Sequence, residues 1–286
     1  MARIDDKAGR VKGRSTTARF RQLSTTYGTK LKVKVISNEE LSLGYYRLLV
    51  SNSALSGAAK AGQFLMLKVS QGDNPLLRRP MSISRIDLSR GEIEILYRVV
   101  GRGTKKLTEF AAGMSMDILG PLGKGFDIPP SKKSILVGGG IGIAPLIGLA
   151  EELLKGGGEV VVMIGGAAGN DVIGLPQFES LGLSPQISTD DGSLGIKGFV
   201  TSLLEGYISS ITNPNDYLIY GCGPNVMLRE VHRIASAASI ECQVSLEGRM
   251  GCGLGACLSC VVPDKDNKYV TVCKDGPVFD SRSLSW

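Results

Sequence analysis

Cys252, Cys257, Cys260 and Cys273 stand in the order Cys-x4-Cys-x2-Cys, followed after twelve residues by the fourth cysteine. That is the plant-type spacing for a [2Fe-2S] cluster, in which two bridged irons need four thiolates, three of them from one tight loop. Gly251, Gly253 and Gly255 let the backbone fold that tightly and leave N–H groups to point at the sulfurs. Two other readings stay open. A structural zinc site usually shows two Cys-x2-Cys pairs, and only one is present here. A disulfide framework suits a short secreted chain rather than one of 286 residues.

A second set of residues could hold phosphates. The apolar strand Ile135-Leu-Val runs into Gly138-Gly139-Gly140-Ile141-Gly142, and then Pro145 enters a helical run to Lys155. Strand, glycine turn and helix N-terminus make a pyrophosphate site, with Gly139, Gly140, Gly142 and Pro145 as its candidates. The loop departs from Gly-x-Gly-x-x-Gly, and a ligand-free tight turn is its alternative. Gly221-Cys222-Gly223-Pro224 repeats the geometry after the strand Tyr217–Tyr220, which adds Cys222 and Gly223. No lysine or arginine lies between Lys155 and Lys197, whereas Glu159, Asp171, Glu179, Asp190 and Asp191 do. A 2′-phosphate needs a cation and free ribose hydroxyls prefer a carboxylate, so NAD is expected over NADP. A third signal is Arg78-Arg79-Pro80-Met81-Ser82, with Tyr97-Arg98 and Gly103-Thr104 further on. By itself this could be a surface arginine pair.

The elements that must position these residues differ along the chain. From Leu31 to Asp127 short alternating strands at Leu31–Val35, Tyr45–Val50, Phe64–Val69 and Glu92–Val99 predict an antiparallel β-barrel, with one helix near Thr104–Phe110. From Ser134 apolar strands alternate with helices, the pattern of a doubly wound parallel α/β sheet. The cysteine-rich module closes the chain and is too small to stand alone. The expected divisions are a disordered basic leader over 1–30, a barrel over 31–130, an α/β domain over 131–244 and a cluster module over 245–286.

Composition narrows the function. The net charge of +6 suggests nucleic acid, but residues 1–30 carry eight of the 33 basic and two of the 27 acidic side chains, leaving 25 of each elsewhere. The excess therefore belongs to the leader, and no nucleic acid partner is expected. The longest uncharged run, Ser134–Ala150, is too short and glycine-rich for a membrane span. Clustered thiols without an apolar leader segment predict a cytoplasmic protein. The one histidine, His232, falls among Arg229, Glu230 and Arg233 on a helical stretch and reads as a solvated surface residue; Cys242 reads as a buried apolar residue.

These motifs resemble the ferredoxin–NADP reductase superfamily: a flavin-binding barrel with Arg-x-Tyr-Ser, a nicotinamide domain with glycine-rich and Cys-Gly-Pro loops. Within it the chain is most similar, from about Leu31 to Asp280, to the electron-transfer subunits of NAD-dependent dihydroorotate dehydrogenases. These share the cysteine loop and the ending seen here as Val272–Phe279. The resemblance implies FAD, NAD and a [2Fe-2S] cluster as cofactors. Arg79 would face the flavin diphosphate and Ser82 the isoalloxazine, with Pro80 and Met81 between them. Leu96, Tyr97 and Arg98 would line the FAD, and Gly103 with Thr104 would hold its pyrophosphate. Met81 replaces the family's tyrosine, which removes aromatic stacking at that spot. The implied partner is an FMN-containing dihydroorotate dehydrogenase catalytic subunit in a heterotetramer, which oxidises dihydroorotate and sends electrons through the cluster and FAD to NAD. A related iron–sulfur reductase subunit serving ferredoxin, sulfide or hydrogenase partners has the same modules, and a cluster-bearing redox sensor is the non-enzymatic alternative.

Overall fold

The computed structural model describes residues 29–70 and 72–286. The leader expected over 1–30 lies outside the described residues, apart from Thr29 and Lys30, which open the first strand.

Seven strands form the first sheet: β1 (Thr29–Ser42), β2 (Tyr45–Ser51), β3 (Phe64–Lys68), β4 (Arg79–Ser82), β5 (Arg85–Asp87), β6 (Glu92–Arg98) and β7 (Ser115–Leu122). Their order is β4-β3-β7-β1-β2-β6-β5, antiparallel throughout. The edge strands β4 and β5 are consecutive in the chain. Between them Ile83 N donates to Gln63 O at 3.0 Å and Ser84 N to Glu94 O at 2.9 Å, so the link is bonded towards both ends of the sheet and curls it into a barrel. Alternate residues Val33, Val35, Leu48, Val50, Ile93, Ile95 and Tyr97 fill its core. Two short helices accompany it. One, α1 (Ser53–Ala58), begins at Asn52, whose side chain accepts from Leu55 N, a cap the alternation pattern did not reveal. The other, α2 (Arg102–Leu107), starts two residues before the expected Thr104.

The second sheet has strands β8 (Lys133–Gly139), β9 (Val160–Gly166), β10 (Gln186–Thr189), β11 (Ile196–Lys197), β12 (Tyr217–Cys222), β13 (Glu241–Ser245) and, last in the chain, β16 (Val278–Asp280). The order is β11-β10-β9-β8-β12-β13-β16, parallel except for β16. Helices α3 (Ala144–Lys155) and α4 (Leu175–Ser180) bury Leu146, Ile147, Leu149 and Phe178 in one core. Helices α5 (Val200–Ile208) and α6 (Asn225–Ala237) bury Leu204, Leu228 and Val231 in a separate one. Strand order reverses at β8, from which the chain runs first to β9 and later crosses to β12. The carboxyl ends of β8 and β12 therefore flank the crevice where such sheets take ligands.

The last segment adds a two-stranded ribbon, β14 (Val261–Pro263) with β15 (Tyr269–Thr271), before β16. It is not a free-standing module. Its strand β16 extends the parallel sheet through β13, and Cys260, Val272, Cys273 and Leu284 share one core with Met66 and Leu122 of the barrel and Val244 of β13. Burial against two neighbours supplies the apolar area that so few residues lack among themselves.

Candidate functional site

The loop Gly251–Cys260 and Cys273 link the four cysteines in two pairs through N–H···S contacts. Cys257 N donates to Cys252 Sγ at 3.4 Å, and Cys273 N donates to Cys260 Sγ at 3.4 Å. Gly255 N reaches across to Cys273 Sγ at 3.1 Å and Leu254 N points at Cys252 Sγ at 3.3 Å. All six cysteines are free thiols, which removes the disulfide alternative. Among the described residues no three side chains of metal-binding type converge on one ion position. A donor set in two pairs, ringed by amides, fits two bridged irons better than one tetrahedral zinc.

Electrostatics divide the pairs. Cys257 is exposed, and the Ser259 hydroxyl, 3.1 Å from its sulfur, leads the contacts that bring its thiol down to about 6. Ser259 Oγ also accepts from Gly251 N at 3.0 Å, so this residue, which the spacing did not mark, ties the two ends of the loop. Cys260 and Cys273 are buried. Burial first, and the Cys260 sulfur second, push the Cys273 thiol up to about 12. Coordination to iron deprotonates such a thiol outright.

The loop is pressed against the barrel. Gly253, at φ +74°, allows this approach: a Cβ there would lie 2.8 Å from Met66 Cγ and 3.2 Å from Leu122 Cδ1. Met66 pairs with Pro80 across β3 and β4. One strand of the sheet therefore separates the cysteine loop from Arg79–Ser82. Lys124 N donates to Gly276 O at 2.6 Å, a second tie between the last segment and the barrel.

Along β4 the two neighbouring arginines part company. Arg78 is spent on structure, donating to Met66 O at 3.3 Å, Asp117 O at 3.0 Å and Asp117 Oδ1 at 2.7 Å. The Arg79 guanidinium lies over Gly103, in space that a Cβ would occupy, and among the described residues donates to the carbonyls of Leu77 and Arg78. Arg79 and the opening turn of α2 thus form one cradle, suited to a diphosphate. Thr104 is a partial correction: its hydroxyl accepts from Val100 N at 2.9 Å and Gly101 N at 3.2 Å, and so caps its own loop. A ligand there meets Thr104 backbone rather than hydroxyl. Leu96 and Tyr97 are corrected more firmly. Leu96 packs into the core beneath α3. Tyr97 lies in the barrel core, stacked on Tyr46 and donating to Asn38 Oδ1 at 3.0 Å. Neither side chain can line a ligand. Strand β5 pairs with β6 only over Glu92–Glu94, and Ile95, Leu96 and Tyr97 beyond it are buried. Of the three, Arg98 alone is exposed. Pro80, Met81 and Ser82 are half-buried along β4, where an isoalloxazine would lie.

The two glycine loops touch. A Cβ on Gly142 would fall 2.6 Å from both Cys222 O and Gly223 Cα, and one on Gly223 would fall 3.0 Å from Gly139 N. Met227 on α6 packs over both Gly139 and Gly223. Pro145 sits in the first turn of α3, and Gly140 is half-exposed at the loop tip. The buried Cys222 thiol is pushed up to about 12 by burial, then by Glu247. Glu247, which follows β13 beside the Cys222 strand, is exposed at the surface, and the atoms packed around its carboxyl raise it. Charge counting along the chain did not single it out.

The five carboxylates are scattered. Glu159 pairs with Lys133 at 2.8 Å, at the amino ends of β8 and β9 and so away from the crevice. Asp171 is bonded to the barrel by Tyr45 Oη at 2.7 Å. Glu179 lies on α4. Asp190 and Asp191 follow β10 at the carboxyl end, and their N–H groups donate to Gly166 O at 3.1 Å and Ala167 O at 3.3 Å. Lys197, distant in sequence from the cation-free stretch's start, lies beside this turn, 3.0 Å from the space of a Gly192 Cβ. His232 is not a solvated residue. It is half-buried, 3.0 Å from Ser281 Oγ and stacked on Trp286 with centroids 5.2 Å apart.

Known proteins carry the same combination. Residues 28–126 match the oxidoreductase FAD-binding domain, and residues 247–285 match the iron-sulfur cluster binding domain of dihydroorotate dehydrogenase B. The chain is similar to the dihydroorotate dehydrogenase B (NAD(+)) electron transfer subunit of Listeria monocytogenes, 41% identical over 87% of this chain and 96% of that one. It is also similar to that of Bacillus pumilus, 39% identical over 90% and 98%. Among solved structures it resembles the NADH-dependent reduced ferredoxin–NADP oxidoreductase, with TM-score 0.79 and 25% identity over 91% of each chain. With two curated relatives near 40% identity over almost their whole length, and with the cysteine loop seated on a flavin-type barrel, the chain belongs to the family of dihydroorotate dehydrogenase B (NAD(+)) electron transfer subunits.

Proposed function

We propose that this chain is the oxidoreductase component that carries electrons from a partner subunit, where dihydroorotate is oxidised at FMN, to NAD+. Overall, dihydroorotate and NAD+ become orotate, NADH and a proton, two electrons crossing per turnover. Held by the four cysteines, a [2Fe-2S] cluster would supply one-electron transfer, and FAD held in the barrel would supply hydride exchange with nicotinamide. The observation that carries this reading is the seat of the cysteine loop on Met66 and Leu122, one strand from Arg79–Ser82.

The chain's own groups position rather than react. Arg79 and the Gly103 turn would receive the flavin diphosphate, the half-buried β4 with the exposed Arg98 would receive the ring, and Gly139–Gly142 with Cys222–Gly223 would receive the nicotinamide dinucleotide. Asp190, at the carboxyl end of β10, would take a ribose hydroxyl. The exposed Cys257 edge is where the partner would approach, in a heterotetramer. No described helix is long and apolar enough to cross a membrane; thiol-ligated iron suits a reducing cytoplasm. The single histidine is held by Ser281 and Trp286, which takes it away from acid–base work on dihydroorotate.

The test is purification under anaerobic conditions followed by assay. Iron and sulfide should each approach about two per chain, the stoichiometry of one [2Fe-2S] cluster. NADH should reduce a dye at least about tenfold faster in kcat/KM than NADPH, since the Asp190 and Asp191 carboxylates at the ribose turn favour free hydroxyls and oppose a 2′-phosphate even with Lys197 beside them. Dihydroorotate should be oxidised only when the partner is added. Stoichiometric zinc without iron, or dihydroorotate oxidation by the chain alone, would contradict the reading.

A further inference from the structure

We infer that Asp171 is a positioning residue for hydride exchange, clasping the nicotinamide domain to the flavin barrel. The inference rests on the NAD–FAD reading above and adds to it. The segment Gly166–Asp171 leaves the carboxyl end of β9 and touches both nucleotide regions. Towards the ribose end, Gly166 O and Ala167 O accept from Asp190 N and Asp191 N, and Gly169 N donates to Ser193 Oγ at 2.8 Å. Towards the barrel, Asp171 Oδ1 accepts from Tyr45 Oη at 2.7 Å and meets Arg98 Nη2 at 3.4 Å. The Arg98 guanidinium also lies over the Tyr45 ring, 5.0 Å from its centroid, and Ser42 Oγ donates to Asn170 O at 3.3 Å.

One carboxylate oxygen thus serves two barrel side chains, one of them the exposed arginine on the strand that leads to the flavin diphosphate cradle. Tyr45 is 2% exposed and packs with Leu136, Ile143 and Leu146 of the α/β domain. On the far side the domains meet without such a clasp to the ribose turn: Gly148 of α3 lies directly against Ser84 O, and Arg85 Nε pairs with Glu151 at 2.7 Å. The barrel carries the flavin strand and the parallel sheet carries the nicotinamide loops. The distance between reacting atoms is therefore set by contacts between domains, and hydride exchange tolerates little error in it. Asp171 is accordingly spent on the barrel, not on a ribose.

The test uses the full chain loaded with FAD and cluster, rapidly mixed with NADH without oxygen, and compares Asp171→Asn with wild type. FAD and iron content should be unchanged. The limiting rate of flavin bleaching should fall by about tenfold or more, as expected for a sub-ångström to ångström misplacement. The dissociation constant of NADH should move by less than about threefold, because uniform binding is retained. Asp171→Glu should recover part of the rate. Tyr45→Phe, which leaves every charge in place, should show a smaller loss in the same direction and carries the test if Asp171→Asn does not fold. An unchanged limiting rate with a dissociation constant raised about tenfold would make Asp171 a ribose ligand and overturn the inference. So would no change in either quantity. Failure of NADH to bleach the wild-type flavin would instead overturn the functional reading, and the clasp role with it.

Discussion

Arg79 and Gly103 make the flavin site falsifiable one atom at a time. A methyl at Gly103 occupies the volume of the Arg79 guanidinium, whose flexible stem can swing aside. Gly103→Ala should therefore leave the melting temperature nearly unchanged but weaken FAD binding about tenfold to a hundredfold, the loss of one charge-assisted contact of about 1.5–3 kcal/mol. Equilibrium titration of the flavin-free chain checks this. The neighbouring Arg78 belongs to stability instead. Burial raises the Asp117 carboxyl, but Arg78 and then Lys30 outweigh it and hold the group below its usual range. A depressed folded-state pKa means stability that is present above the unfolded value of about 4 and lost as pH falls through the folded one. Asp117→Asn should flatten the loss of stability below about pH 4 in acid unfolding curves. At this scale the sequence was legible where chemistry dictates spacing: the four cysteines needed no fold to be found. It was illegible where a residue's work depends on neighbours distant in the chain. Nothing local separates Arg78 from Arg79. Ser259 and Asp171 gain their partners only through folding, and the alternation that marks β6 as a strand does not tell that Leu96 and Tyr97 are both buried.

Two elements, β8 and β12, flank the proposed dinucleotide crevice, ending side by side at Gly139 and at Cys222 with Gly223 next. Gly142 faces backbone, not a movable side chain: its Cβ would meet Cys222 O and Gly223 Cα at 2.6 Å. Gly142→Ala should part the loops, lower the melting temperature by several degrees and raise the NADH dissociation constant about tenfold or more, since fixed backbone must shift to admit the methyl. Isothermal titration with NADH checks the second effect. The apolar strand, glycine turn and Pro145 made this pair of loops legible, because each is a local requirement. Other elements were not. Strand β16 has three residues and joins the parallel sheet only because β13 offers an unpaired edge. Helix α4 has six residues, too few for a period to register. The cation-free stretch from Gly156 to Ile196 was read as one neighbourhood, yet the chain folds Glu159 to one end of the sheet and Asp190 to the other, and returns Lys197 beside the turn.

In the whole molecule, three pieces that the sequence presents in order are packed so that the last returns to the first. Cys260 and Cys273 share a core with Met66 and Leu122, while Cys257 stays exposed. That arrangement gives the cysteine loop one face on the flavin barrel and one exposed face, and under the proposed reading the cluster would lie between barrel and partner. Because Cys260, Val272 and Leu284 pack into a core shared with the sheet, and β16 is paired to β13, the module should keep its fold when one exposed ligand is lost. Cys257→Ala is therefore the variant that separates electron transfer from folding. The decisive measurement is turnover of that variant, verified as cluster-free and FAD-loaded, in complex with the dihydroorotate-oxidising partner. The account predicts that NADH-to-dye turnover stays within about twofold of wild type while dihydroorotate-to-NAD+ turnover falls by at least about a hundredfold, the scale expected when a required intermediate is removed. Coupled turnover persisting at the wild-type rate in the cluster-free complex would contradict it.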